Sequence, residues 1–442
     1  LIVKVKVNNC WLPIGYIPIG SQQLLTFTFT IKDLGPDPSQ DPHLLSITHE
    51  SEYVLMLELP QRLENYGAVS IYELVRVLEL DSSGHTRIKG AISINNDILE
   101  EYSANTAIVV PVKDEDLLTL EGVIAAIPHS SLVIIVSASS RRPVDRYLHE
   151  LDLARTIHYT TYRGIVVVHQ NDPVWRDALS NTPLEMMLEG TSVRKGKGEG
   201  MLLGVLIAAA LGYKYVGFID SDNYVPGAVL EYSKIYSAGF YMAESKYSMV
   251  RIKWPFKGKL ASSDMYLRRR GRVSVITNSI LNQALSRLRK VETDIIRTAN
   301  SGEHALTIDL ALNMKWAGGF AVEPYQFVTL LESCYIGLDE NNCPITPDRI
   351  KIYQIESRNP HIHAERGDEH IADMIHRSLG VIYHSKLYSE DIGRDIDKIM
   401  SEYNLTSKPP APRVYDPRGV DPSKVFTTLI SNSRDAMYFE SR

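Results

Sequence analysis

Cysteine is scarce: the 442 residues hold three, Cys10, Cys334 and Cys343. An odd count without paired spacing argues against a disulfide framework or a structural zinc site. It points to a reducing compartment, hence the cytoplasm. An excess of positive charge is also lacking. The formal net charge of −6 argues against broad binding to nucleic acid or to a membrane surface, so an anionic ligand must be met by local cations. Long apolar runs are missing too. The longest, Met201 to Leu211, stops at Gly212 and meets Lys214, which is too short to cross a bilayer. No basic start followed by an apolar core marks a secretory signal. The chain opens on Leu1, so its natural start is expected upstream.

What is present is the composition of an ordinary globular protein. The length suits one large α/β domain or two, at about 150 residues per domain. Residues 1–58 are an extension hard to place, with strand-like alternation over Leu24 to Ile31 and a Pro/Asp-rich loop over Asp33 to His43. Val69 to Leu80 has apolar residues at helical spacing. Strands then alternate with helices. Ala107 to Val112, Leu132 to Val136, Ile165 to His169 and Tyr215 to Ile219 read as strands; Leu117 to Ile127 and Gly200 to Leu211 read as helices. This pattern predicts a mostly parallel sheet covered on both faces. Residues 59–245 form one half on this reading and 246–407 a second. Lys408 to Pro412 is a linker to a tail over 408–442.

The most informative segment is VGFIDSDNYVPGAV, from Val216 to Val229. A buried strand runs into Asp220-Ser221-Asp222, and Pro226 opens a helix. Two carboxylates two positions apart converge on one point only where the chain turns, and hard oxygens of that kind suit Mg²⁺, Mn²⁺ or Co²⁺. In an open α/β sheet the carboxyl tip of a strand is also where ligands bind. A solvated turn is the other reading, since Asp and Asn are common in turns. Just before that strand lies Arg194-Lys195-Gly196-Lys197-Gly198-Glu199-Gly200. It fits neither a P-loop nor a dinucleotide fingerprint. Its glycines and helix start offer N–H groups to a phosphate, with Lys197 as a point charge; a flexible helix start is the alternative.

Polar groups after three strands, Pro111-Val112-Lys113-Asp114-Glu115, Ser137-Ala138-Ser139 and His169-Gln170-Asn171, would line one crevice suited to a base and ribose. His361, or its neighbour His363, is a candidate third metal ligand. Met249 to Arg272 is dense in cations, either a solvated face or a rim for anions. Ser301-Gly302-Glu303-His304 reads as a helix cap.

Taken together, the stretches GAVSIYELVRV, VVPVKDE, AIPHSSLVIIVSAS, HQNDP, GKGEGML, YVGFIDSDNYVPGAV, GRVSVITN, SGEHALT, VEPYQ, NPHIH and IYHSKL resemble mannosyl-3-phosphoglycerate synthases, retaining glycosyltransferases with a GT-A-type fold. They run in the family's order from about residue 60 to the C-terminus. The resemblance implies GDP-mannose as donor and 3-phosphoglycerate as acceptor, on the way to the compatible solute mannosylglycerate. It implies Asp220, Asp222 and His361 as metal ligands, and Pro111, Lys113, Glu115, Ser137, Gln170 and Ser221 around the nucleotide. Lys197 would meet the donor's diphosphate or sugar. Gly271, Arg272, Ser274 and Thr277 match the family's acceptor loop. A homodimer is the assembly the resemblance implies.

The residue types suit the reaction. Charge builds on a departing diphosphate, which a divalent ion, Lys197 and helix N–H groups would neutralise. Arginines suit the acceptor's carboxylate and phosphate. No carboxylate stands out as a covalent nucleophile, and the resemblance implies front-face attack. A glucosyl-3-phosphoglycerate synthase is the near alternative. A sugar-1-phosphate nucleotidyltransferase, an Asp-x-Asp phosphatase and a non-catalytic binding module are more distant ones.

Overall fold

A computed structural model of the chain describes residues 2–7, 10–16, 54–58, 60, 62–77, 91–254, 257–261, 264–268, 272–336, 343, 349–363 and 367–441. The expected strand at Leu24 to Ile31 and loop at Asp33 to His43 lie outside them. Ten strands form the main sheet. In chain order they are β1 (Arg62–Tyr66), β2 (Val69–Leu74), β3 (Thr106–Val112), β4 (Leu132–Ser137), β5 (Ile165–His169), β6 (Tyr215–Phe218), β7 (Ser248–Lys253), β8 (His304–Thr307), β9 (Ile350–Glu356) and β10 (Met437–Phe439). Across the sheet the order is β10-β5-β4-β3-β6-β8-β7-β9-β2-β1. β5, β4, β3 and β6 run parallel, as do β7, β9 and β2. β8 is antiparallel to both its neighbours, β6 and β7.

β3, β4 and β5 are near-continuous runs of Val and Ile because helices cover both faces of the sheet. Val109, Ile134 and Val166 join one core. Ile108, Val133 and Val167 point to the other. The seven helices that bear on the argument are α1 (Leu117–Ala126), α2 (Arg146–Thr161), α3 (Lys197–Ala210), α4 (Pro226–Ala243), α5 (Arg272–Arg289), α6 (Val322–Leu331) and α7 (Pro422–Asn432). The first core takes side chains of α3, α5, α6 and α7; the second takes those of α1, α2 and α4. α3 is apolar almost all round, and it is buried from Gly198 to Ala208. Gly204 is required there because any Cβ would press into Val109.

Four expectations need correction. Of the expected helix Val69 to Leu80, the described residues 69–77 are not helical: β2 occupies Val69–Leu74, with a second short strand at Arg76–Val77. Val69 and Ile71 enter one core and Leu74 the other, so a strand buried on both faces imitates helical spacing. The boundary at residue 245 marks no break, since β8 bridges β6 and β7 in one sheet. The segment 408–442 is no tail: β10 forms the edge of the sheet by pairing with β5, and Val425 and Leu429 of α7 enter the first core. Cys334 and Cys343 form a disulfide, with Cα atoms 4.9 Å apart. Their separation of nine residues is too ordinary to signal a pair. No described helix is long and apolar enough to cross a membrane.

Candidate active site at the tip of β6

β6 ends at Phe218, a turn carries Asp220 to Asn223, and α4 leaves with Pro226 in its first turn. The turn follows from the sequence, since Asp and Asn favour it and Pro suits a helix start. The antiparallel strand β8 begins at the same edge: His304 pairs with Phe218 on one side and with Arg251 of β7 on the other. Gly302 and Glu303 therefore lie against the acidic turn. The segment expected to be a helix cap is the entry to a central strand. His304 fixes that entry. Its Nδ1 lies 3.0 Å from the carbonyls of Ser301 and Gly302. Both carbonyls accept, so Nδ1 carries the proton and Nε2 accepts from Gln326 Nε2 at 2.8 Å. Burial holds this imidazole well below its ordinary pKa.

Lys197, the first residue of α3, reaches into the corner. Its Nζ lies 2.7 Å from Asp220 Oδ1 and 2.9 Å from Glu323 Oε1. Burial opposes the charge, but Asp220 and then Glu323 outweigh it and raise the ammonium well above its usual range. The glycines on either side of it are required by packing within the protein. A Cβ on Gly196 would strike the Glu199 carboxylate, and one on Gly198 would strike the Ala317 carbonyl. Glu199 is fully buried, accepting from Gly319 N at 2.8 Å, Tyr415 Oη at 2.8 Å and Arg413 Nη2 at 3.1 Å.

Glu303 is fully buried beside Lys197 and Asp220. Its Oε1 accepts from Asn223 Nδ2 at 3.0 Å, while Oε2 is buried without a hydrogen-bond partner. Burial first, and then the Asp220 charge, push its carboxyl up to about 8. His361 completes the corner. Trp254 stacks on its ring at a centroid distance of 4.3 Å, Tyr232 Oη lies 3.3 Å from Nδ1, and Glu303 Oε1 lies 3.9 Å from Nδ1. His363 meets the His361 ring edge-on at 5.3 Å. The far histidine, His370, packs against Phe320.

By residue type this donor set suits a hard divalent cation. Carboxylates of Asp220, Asp222 and Glu303 interact closely enough to shift a pKa, one buried carboxylate oxygen lacks a partner, and Asp220 already grips a cationic group. Oxygens with one imidazole are the ligands Mg²⁺ or Mn²⁺ takes. Among the described residues no three such side chains are gathered tightly enough to hold an ion; a cation binding Asp220 competes with Lys197.

A profile of the mannosyl-3-phosphoglycerate synthase family matches residues 59–429. This chain belongs to that family. The mannosyl-3-phosphoglycerate synthase of Aeropyrum pernix is 55% identical over 386 residues, covering 87% of this chain and 100% of the relative. That of Pyrococcus furiosus is 40% identical over 394 residues, with coverage of 87% and 100%. Among solved structures, glucosyl-3-phosphoglycerate synthase from Mycobacterium tuberculosis, in complex with Mn²⁺, UDP and phosphoglyceric acid, is 19% identical with a TM-score of 0.42. It covers 64% of this chain and 81% of that one.

The remaining residues expected in a mannosyl-3-phosphoglycerate synthase site are spread along the same edge. Pro111 lies in β3, and the following loop leaves Lys113 exposed and Glu115 half-buried. Arg146 Nη2 donates to the Glu115 carbonyl at 2.6 Å. Ser137 and Ser221 are buried. Gln170 braces the glycine loop, its Nε2 donating to Arg194 O at 2.6 Å and Gly196 O at 3.1 Å. Ser274 and Thr277 sit in the first turns of α5. Thr277 is fully buried and donates to Val273 O at 3.0 Å. Gly271 and the Arg272 side chain lie outside the described residues. Two cations of the basic segment are structural. Arg251 is fully buried among carbonyls of Thr298, Ala299 and Glu323. Lys253 pairs with Glu73 at 2.7 Å and Glu356 at 3.2 Å. Sequence reasoning misses Glu303, Glu323 and Glu199 as site residues. Glu199 and Glu323 are acidic residues whose immediate neighbours are small or apolar, and that is the signal they leave in the sequence.

Proposed function

We propose that this chain transfers mannose from GDP-mannose to 3-phosphoglycerate with retention at the anomeric carbon, releasing GDP. The observation that carries the reading is the Lys197 ammonium clasped between Asp220 and Glu323 at the tip of β6, in a chain of this family. When bound by Asp220, Asp222 and His361, a divalent ion supplies Lewis-acid neutralisation of the departing diphosphate. Lys197 is half-buried, charged and at the same corner, so it stabilises the same developing charge. The bond from the anomeric carbon to the β-phosphate oxygen breaks, and its electron pair leaves with GDP. The acceptor hydroxyl attacks from the same face, and its proton passes to the departing phosphate oxygen. Glu303 is deeply buried and hydrogen-bonded by Asn223, which suits it to shape the pocket and not to attack carbon. The free N–H groups at the start of α5, with Arg272, Ser274 and the preceding Gly271, suit the acceptor's anionic groups. Pro111, Lys113, Glu115 and Ser137 surround the base and ribose in this reading.

The test is a product assay with GDP-mannose, 3-phosphoglycerate and Mg²⁺, with EDTA as control. GDP and mannosyl-3-phosphoglycerate are the expected products. A panel replacing the donor by GDP-glucose or UDP-glucose checks the sugar, and preference for either would make the chain a glucosyl-3-phosphoglycerate synthase. Trapping a mannosylated Asp or Glu would overturn front-face attack.

A further inference from the structure

α4 does more than leave the acidic turn; it also holds the histidine loop. Glu231, in the second turn of α4, is 4% exposed. Its Oε1 accepts from Arg358 N at 2.6 Å. Its Oε2 accepts from Asn359 N at 2.7 Å and from Asn359 Nδ2 at 2.6 Å. Three donors from two consecutive residues thus converge on one buried carboxylate. The next residue of α4 is Tyr232, whose hydroxyl meets His361 Nδ1. Before the helix, Tyr224 N donates to Ile362 O at 2.9 Å. The loop from Arg358 to Ile362 is therefore fastened to α4 on one side of His361 and to the turn that leads into α4 on the other.

A loop can satisfy two N–H groups with water or with a neutral side chain. Sinking a carboxylate costs several kcal/mol unless it is fully hydrogen-bonded. Charge-assisted bonds also fix geometry more tightly than neutral ones. A buried charge at this position has an evident effect: the His361 imidazole and the Asp220/Asp222 turn are both tied to the first two turns of α4. We propose that Glu231 is a positioning residue for His361, holding the imidazole where it completes the metal site. The proposal rests on the reading of His361 as a metal ligand.

The experiment uses the full chain stripped with EDTA. Isothermal titration calorimetry measures the affinity for Mn²⁺–GDP and, separately, for GDP in EDTA; the ratio is the advantage due to metal. Wild type should bind Mn²⁺–GDP more tightly. His361→Ala should lose most of that advantage. Glu231→Gln should lose about tenfold or more, the scale on which outer-shell partners act, with affinity for GDP in EDTA unchanged. The double variant should be no weaker than His361→Ala alone, because both changes remove one interaction. Asn359→Ala, which removes the Nδ2 contacts to Glu231 and to Gly227 O but leaves both backbone donors to Glu231, should show a smaller loss in the same direction, and it serves if Glu231→Gln fails to fold. If His361→Ala keeps the metal advantage, the ligand assignment fails and the proposal falls with it. If His361→Ala loses it while Glu231→Gln and Asn359→Ala keep it, the proposal alone is overturned. Equal losses with and without metal, or full additivity in the double variant, overturn it too.

Discussion

The Lys197 ammonium bridges Asp220 and Glu323, 2.7 Å from one carboxylate and 2.9 Å from the other. A positive charge tethered by a side chain thus stands at the corner where an ion is expected. Replacing Lys197 with Met leaves two carboxylates, one of them only 2% exposed, without their shared partner. Uncompensated buried charge is costly, so the metal-free melting temperature should fall by several degrees. Mg²⁺ should then raise it more in Lys197→Met than in wild type, since the ion no longer competes with an ammonium for Asp220. Turnover should drop at least about 100-fold, the scale of losing one preorganised charge. Scanning calorimetry with and without Mg²⁺, beside the product assay, checks both.

Gly302 faces the same pair. A Cβ there would strike Asp220 Oδ2 and lie 2.8 Å from Lys197 Nζ, so Gly302→Ala has to spread the Lys197–Asp220 contact. Overpacking costs about 1–3 kcal/mol, which the fold should survive. Turnover should fall tenfold or more. Gly122→Ala on α1, whose Cβ would meet only Pro226 at 3.5 Å, should leave turnover unchanged. Steady-state kinetics of the two variants side by side is the measurement.

Much of this corner is legible in the sequence, and the reason is locality. Strand, Asp-Ser-Asp turn and Pro226-led helix lie within one short stretch, and each signals itself by residue type. Asp220 and Asp222 are read from that pattern, and Lys197 from the glycine-rich loop before it. Glu303 does not, because its position depends on β8 being inserted antiparallel between β6 and β7. A strand of four residues following Ser-Gly-Glu resembles a helix cap when read alone. β2 imitates a helix for a related reason: strands covered on both faces lose the alternation that identifies them. The brace around Glu199 depends on Arg413 and Tyr415, more than 200 residues away, and no local pattern announces such a contact. The Cys334–Cys343 bridge likewise depends on where the chain returns.

Glu303 is a buried acid placed beside two others, its carboxyl pushed up to about 8, so at neutral pH folding must return to it a proton that the unfolded chain has lost, which should cost stability. Glu303→Gln keeps the shape and the acceptor for Asn223 while removing the ionisable group. The metal-free melting temperature should rise by a few degrees, as relief of such a cost at a functional site commonly does. Turnover should fall tenfold or more. A variant that lost both stability and activity would instead mark Glu303 as a purely structural acid. Thermal melts in EDTA and the product assay separate the two.

Tyr415 connects the C-terminal segment to the start of α3. Its hydroxyl, on a residue 1% exposed, donates to Glu199 Oε1 at 2.8 Å. Glu199 follows Lys197 by two residues and is walled in by Gly196 and Gly318, so its carboxylate sets how α3 begins. Tyr415→Phe preserves the packing and removes one hydrogen bond to a charged group, worth about 1.5–3 kcal/mol. The melting temperature should fall by a few degrees. Because the loosened end is the one that carries Lys197, kcat/KM for GDP-mannose should fall severalfold. Tyr438→Phe, at a residue 38% exposed on the edge strand β10, should alter neither. If Tyr415→Phe lowered stability and left kcat/KM intact, the C-terminal segment would support the fold without tuning the site.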